Sequence, residues 1–171
     1  VFDTLINRPF YDPTDLFELL DKEFENAVSS SIKFKKIRID AEAIVRKQYG
    51  KKHPQWQDIN IQEIYEGIGK LYDFSDKTTE MLMNKELDLE LEFCGLRNAG
   101  KELYETALLT GKKVIIISDM YLSQKHIEKI LQKNGYNNYD RIYISSEVRL
   151  TKNTGDLYHF VRQDLQLSEK T

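Results

Sequence analysis

Apolar residues recur three and four apart over most of the first two-thirds of this chain, and then the rhythm changes. Leu16, Leu19, Leu20, Phe24 and Ala27 form one helical series, with Thr14 after Pro13 as its expected N-cap and Ser29-Ser30-Ser31 as its expected end. Ile37, Ala41, Ile44 and Val45 form a second, with Gly50 as the expected left-handed terminator. After a polar connection from Lys51 to Asp58 that contains Pro54, Asn60 and Glu63 make a capping-box pair ahead of Ile61, Ile64, Tyr65, Ile68 and Leu71. Two further helices are predicted, from about Asp76 to Phe93 and from Ala99 to Thr110. The block 14–110 therefore reads as all helical, with no strand expected.

At Lys113 the pattern becomes Val114-Ile115-Ile116-Ile117, a solid β-branched run after Gly111-Lys112-Lys113. Such a run predicts a strand over 113–117 buried on both faces, as in parallel sheets. Ser123 is a helix N-cap for Ile127, Ile130 and Leu131, and Gly135 closes that helix. A short strand from Arg141 to Ser145 follows, then a loop, then a helix bearing Leu157, Phe160, Val161 and Leu165. Strand, helix, strand, helix is the order of a parallel sheet with crossover helices. Residues 1–5 read as the last residues of another strand, leading into a loop kept irregular by Asn7, Pro9 and Pro13.

Composition narrows the picture. The 171 residues suffice for one domain, or for a small core carrying an inserted subdomain. The net charge of −3 and the lack of a basic stripe with interleaved aromatics argue against a nucleic-acid partner. Lys33-Phe34-Lys35-Lys36 and Lys51-Lys52-His53 are short and separated, as solvated surfaces are. No eighteen-residue apolar run and no charged-then-apolar leader occur, so neither a membrane span nor a signal peptide is expected. The lone cysteine, Cys94, cannot pair within the chain and fits a reducing cytoplasm, where it reads as core filler. His53, His126 and His159 lack metal-ligand spacing.

Three positions fall at the carboxyl edge of the expected sheet, the edge where open α/β sheets bind ligands. They are the loop after residue 2, Ser118-Asp119, and the loop holding Lys152. A strand-end hydroxyl, a lysine and a helix N-terminus together suit a phosphate or another oxyanion: the hydroxyl donates a hydrogen bond and the lysine supplies a point charge.

The same residues resemble a known family. Ile116-Ile117-Ser118-Asp119 resembles the second motif of the haloacid dehalogenase-like (HAD) superfamily, and Ser145-Ser146-Glu147 followed by Lys152-Asn153-Thr154-Gly155-Asp156-Leu157-Tyr158 resembles the third, lysine-bearing motif. Val1-Phe2-Asp3-Thr4-Leu5 resembles the tail of the first motif, whose nucleophilic aspartate would stand immediately before Val1. A register with Asp3 itself as nucleophile ranks second, because it loses the Thr-Leu match. Phe-Asp-Thr-Leu with Ser-Asp-Met-Tyr-Leu-Ser is similar to a bacterial group of hydrolases linked to glycosyltransferases of surface-polysaccharide pathways.

The resemblance implies an α/β fold: a Rossmann-like parallel-sheet core, from residues 1–13 and 111–171, with an all-helical cap, 14–110, inserted in it. It implies a magnesium-dependent phosphohydrolase that passes through an aspartyl-phosphate on a small phosphorylated metabolite such as a sugar phosphate. In that scheme Ser118 and Lys152 are catalytic, and the carbonyl of Phe2 is a metal ligand. Thr4, Asp119 and Tyr121 contact substrate. Phosphatase members carry a general acid two places after the nucleophile; here that place is Phe2, and Asp3 is the nearby substitute. The fourth motif, an acidic pair that holds magnesium, is expected after residue 171, so the chain is expected to be a fragment. Dehalogenase-like hydrolysis, which needs no acid at Phe2, and a non-catalytic phospholigand-binding or scaffolding domain of a larger enzyme are the alternatives.

Overall fold

A computed structural model of the chain describes residues 1–28 and 32–167; the helix end expected at Ser29-Ser30-Ser31 lies outside them. The elements in order are β1 (Ile6–Asn7), a 3-10 helix (Pro13–Leu20) running directly into α1 (Asp21–Ala27), α2 (Phe34–Lys52), α3 (Ile61–Tyr72), α4 (Asp76–Phe93), β2 (Gly95–Leu96), α5 (Asn98–Leu109), β3 (Ile115–Ser118), α6 (Gln124–Lys133), β4 (Arg141–Ile144), the single turn α7 (Ser145–Val148) and α8 (Asp156–Asp164).

β3 and β4 pair in parallel, Ile116 opposite Ile142 and Ser118 opposite Ile144. Side chains alternate across a strand, and both faces of this pair are covered. Ile116, Ile142 and Ile144 join the main core with Ile127, Ile130 and Leu131 of α6, while Tyr143, with Ile115 and Ile117, packs on Leu157 and Val161 of α8. That burial is what the unbroken β-branched run required. The strand begins two residues later than expected and includes Ser118, and Ser145 opens α7 instead of ending β4.

The helical block is held by the 3-10 helix, α2, α3 and α4 around Leu16, Leu20, Phe24, Phe34, Ile37, Ile64 and Ile68, all essentially without exposure. Asn60 and Glu63 form the expected capping box, each side chain accepting the other's backbone N–H at 2.9 and 2.8 Å, and α4 spans the expected residues. Gly67 fits because a Cβ there would sit 2.1 Å from Cγ2 of Val45, so α2 and α3 approach through a position only hydrogen can fill.

Several expectations need correcting. The first helical segment is capped by Asp12, whose side chain accepts from Thr14 N–H; Thr14 lies inside the helix. Pro13 accounts for the shift, since it suits the first helical position. Gly50 does not end α2, which continues to Lys52 and is capped at His53. Ile44, Leu71, Leu19 and Phe160 keep about 40 % exposure, at the margins of their apolar faces. The largest difference is at the start of the chain. Phe2 makes only a single parallel bridge to Ile6, and Asp3 turns the chain with φ of 59°. Ile6–Asn7 then pairs antiparallel with Gly95–Leu96, a strand inside the block where none was expected. Two residues carry too little periodicity to announce such a pairing.

Candidate functional site

The turn at residues 1–6 closes on the Val1 carbonyl, which accepts from the N–H groups of Thr4, Leu5 and Ile6. Thr4 donates its hydroxyl to the Phe2 carbonyl at 3.5 Å. Close packing fixes this turn from behind: a Cβ on Gly100 would lie 2.0 Å from the Thr4 carbonyl oxygen, and the Tyr136 hydroxyl donates to the Leu5 carbonyl at 2.7 Å. The Arg8 guanidinium lies over the Phe2 ring, 4.3 Å from its centroid.

Ser118 ends β3 in a buried position, 2 % exposed, and no hydrogen bond joins its hydroxyl to any other described residue. Asp119 follows, and both its carboxylate oxygens accept the Lys152 backbone N–H, at 3.0 and 3.1 Å. The expectation that Lys152 lies over the end of β3 thus has a mechanical basis in that carboxylate. Lys152 closes a tight turn, its carbonyl accepting from Gly155 N–H at 3.0 Å, with Gly155 left-handed at φ of 86°. The Lys152 ammonium forms no ion pair among the described residues. The nitrogen of Val1 lies within electrostatic reach of Lys152, Asp3 and Asp119, so the three segments converge. Asp3, Ser118, Asp119 and Lys152 therefore meet at one sheet edge.

Tyr121 belongs to a neighbouring surface. Its ring lies under Arg38, 4.8 Å from the guanidinium, and its hydroxyl is 3.5 Å from Glu90. Burial, with Glu86 nearby, raises its pKa far above that of a free phenol. With Arg8, Thr14, Phe17, Arg46 and Met120 it lines a cleft of about 430 Å³ beside the strand end. Both arginines of this cleft are neutralised, Arg8 by Glu90 at 2.6 Å and Arg46 by Glu42 and Asp58.

Oxygen donors for a divalent cation are few at this edge: the Phe2 carbonyl, Asp3, and an Asp119 carboxylate already bonded to the Lys152 N–H. Among the described residues no three acidic, histidine or cysteine side chains converge. Magnesium keeps several of its waters and is held by one or two carboxylates, so Asp3 and Asp119 with the Phe2 carbonyl would supply part of such a site. No described helix is long and apolar enough to cross a membrane.

Sequence reasoning missed Gln57 and Asp58. The Gln57 Oε1 accepts from Thr151 N–H at 2.8 Å and from the hydroxyls of Thr151 and Thr154 at 3.2 and 2.8 Å, and its amide donates to Asp156. Asp58 accepts from Ser145, whose oxygen in turn accepts Met120 N–H at 2.9 Å. Both sit in a polar connection with no local motif, so only the folded chain shows them.

The fold is that of the haloacid dehalogenase-like proteins, an α/β core with a parallel sheet joined to a helical cap. An L-2-haloacid dehalogenase crystal structure superposes with a TM-score of 0.57 at 12 % identity, covering 98 % of this chain and 71 % of that one. Two crystal structures of a dehalogenase, one with an intermediate complex, superpose at 0.55 and 14 % identity over 98 % of this chain and 70 % of theirs. No family model and no curated protein matches the chain.

Proposed function

We propose that this chain is the working part of a HAD-like hydrolase that acts on a small anionic substrate, a phosphoester before any other. The observation that carries the reading is the pair of unspent cationic and hydroxyl groups at one strand edge: Ser118 with a free hydroxyl, and Lys152 with a free ammonium held in place through its own backbone by Asp119. A hydroxyl left unpaired at the strand edge, with a lone cation on the neighbouring loop, is suited to an incoming oxyanion.

In this reading Ser118 Oγ–H donates to a non-bridging oxygen of the substrate. The Lys152 ammonium opposes the negative charge that gathers on the transferred group, and as a compact point charge it does so without fixing a bidentate geometry. Asp119 positions Lys152 and does not itself touch the reacting atoms. The first motif, which Val1-Phe2-Asp3-Thr4-Leu5 resembles, supplies an aspartate nucleophile that would attack the phosphorus held by Ser118 and Lys152 as the bond to the leaving-group oxygen breaks. Asp3, one residue beyond the usual acid position that Phe2 occupies, would transfer a proton to the leaving group. Magnesium, when bound, would offset phosphoryl charge. The cleft lined by Arg8, Phe17, Met120 and Tyr121 receives the substrate's body, and Thr4, in the turn at the chain start, contacts the substrate. Residues 14–110 act as the cap, and a glycosyltransferase is the working partner.

The second reading, carbon–halogen hydrolysis, is favoured by Phe2, which leaves no acid two places after the nucleophile, and by the dehalogenase fold neighbours. One pair of assays separates the two: release of phenol from an aryl phosphate with and without magnesium, and release of halide from a 2-haloacid, both with the complete protein. Phosphate release that exceeds halide release supports the first reading. Halide release alone transfers the site to the second, and neither product discards both.

A further inference from the structure

The connection between α2 and α3 does more than join two helices. It runs over residues 53–60, and its backbone and side chains are tied to the far end of the chain at several points. Gln57 N–H donates to the Arg149 carbonyl at 2.9 Å. The Gln57 side chain then accepts three hydrogen bonds from Thr151 and Thr154 and donates one to Asp156. These partners bracket Lys152 on both sides. Arg149 is itself clamped, making a bidentate pair with Glu63 at 2.7 and 2.9 Å, donating to the Asp58 carbonyl at 3.1 Å and lying 4.3 Å from the Trp56 ring centroid. Trp56 is stacked on its other side by His53, centroid to centroid 4.0 Å.

From this geometry we infer that Gln57 is a positioning residue for the proposed reaction: it holds the Lys152 loop in register with the Ser118 edge, and so makes the competence of the site depend on the helical block. The inference rests on the reading of Ser118 and Lys152 given above. A glutamine suits the task because one amide offers both an acceptor with two lone pairs and two donors. A loop carrying Asn153, Thr154 and Gly155 has little apolar packing of its own, and without the amide the Thr151 N–H loses its partner. Asp119 holds Lys152 from the sheet side and Gln57 holds its neighbours from the helical side, so the lysine is fixed between two anchors. Asp58 acts in parallel on the other loop, through Ser145 to the Met120 N–H. A single eight-residue connection therefore reaches both loops of the site.

The test uses the complete protein with Gln57→Leu, which keeps the volume and removes the hydrogen bonds, and Gln57→Glu, which keeps the acceptor for Thr151. Amide hydrogen exchange is read at Thr151 and Lys152 against Ile142 and Ile144 in β4, and kcat and KM are read on an aryl phosphate, with halide release from a 2-haloacid as the parallel substrate. In Gln57→Leu the two loop amides should exchange at least roughly tenfold faster while β4 is unchanged, and kcat should fall about tenfold with KM moving less, as expected when an aligned charge is loosened. Gln57→Glu, which restores the acceptor for Thr151 but sets a second carboxylate against Asp156, should recover protection at Thr151 more than kcat. Loop amides that exchange at the wild-type rate in Gln57→Leu would overturn the inference, as would faster exchange with an undiminished kcat. A wild-type protein inactive on both substrates would overturn the proposed reaction instead, and the exchange result would then decide the anchoring role of Gln57 alone.

Discussion

The helical block and the sheet edge treat charge in opposite ways. Inside the block, Arg38 and Glu86 are fully buried and bonded at 2.8 and 3.0 Å. Arg38 also meets Glu42, and Glu86 takes the Tyr65 hydroxyl at 2.7 Å. Arg8 and Glu90 repeat the arrangement nearby. At the sheet edge, the Ser118 hydroxyl and the Lys152 ammonium have no such partners among the described residues. The contrast separates architecture from chemistry: charges that are fully answered within the protein organise its interior, and groups left unanswered in a sheltered place are free for a ligand.

The sharpest way to break this comparison is to remove the unanswered lysine. Lys152→Ala should lower turnover by roughly two or more orders of magnitude, as loss of a group that stabilises transition-state charge usually does, while leaving the urea midpoint within the wild-type range. A variant that turns over normally would take Lys152 out of the site. The answered charges should behave in reverse. Glu86→Ala leaves Arg38 buried without its partner and should cost about 3–5 kcal/mol in denaturant unfolding, whereas Arg38→Met with Glu86→Leu should restore much of that loss. If the single change proves mild, the pair does not organise the block.

Gly100→Ala probes the join between the two regions. Its methyl group would collide with the Thr4 carbonyl, and overpacking of this kind costs about 1–3 kcal/mol; because the collision is with the turn that carries Asp3 and Thr4, activity should fall further than stability alone explains. The smallest effect concerns His126, whose pKa is lowered by burial and whose Nε2 is buried without a hydrogen-bond partner among the described residues. The unfolded chain then binds a proton at a higher pH than the folded one. This contribution is complete above the ordinary histidine value of about 6.5 and fades as pH falls from there through the folded pKa. Replacing His126 with Gln should flatten the stability profile over that window, and an unchanged slope would show that His126 does not contribute to it.

What could be read from the residues alone was what depends on neighbours in sequence. The capping box at Asn60 and Glu63, the Ser123 cap and the buried strand at Ile115–Ser118 are written within a few positions and folded as expected. Ser118 and Lys152 could be proposed for one edge because each lies at or just after a recognisable strand, and the fold ties the Lys152 backbone to Asp119 beside Ser118. The pairing of Ile6–Asn7 with Gly95–Leu96 was not, being a two-residue contact between distant segments, nor was Gln57, one polar residue in a polar stretch. The bond from Lys152 N–H to Asp119 was not legible, because a carboxylate's partner across 33 positions leaves no local trace.

The bond from Thr151 to Gln57 spans 94 positions, and its reach bears on how the molecule comes into being. Helices with local contacts form quickly, while contacts between distant segments must first meet the entropy of closing a long loop. The helical block can settle early, from short-range pairs such as α2 with α3. The lysine turn acquires its anchor only when the last third of the chain has been made and has come back to meet residues 53–60. During synthesis, then, residues 53–60 and the helices beside them precede the Lys152 turn, whose second anchor forms only after both segments have been made.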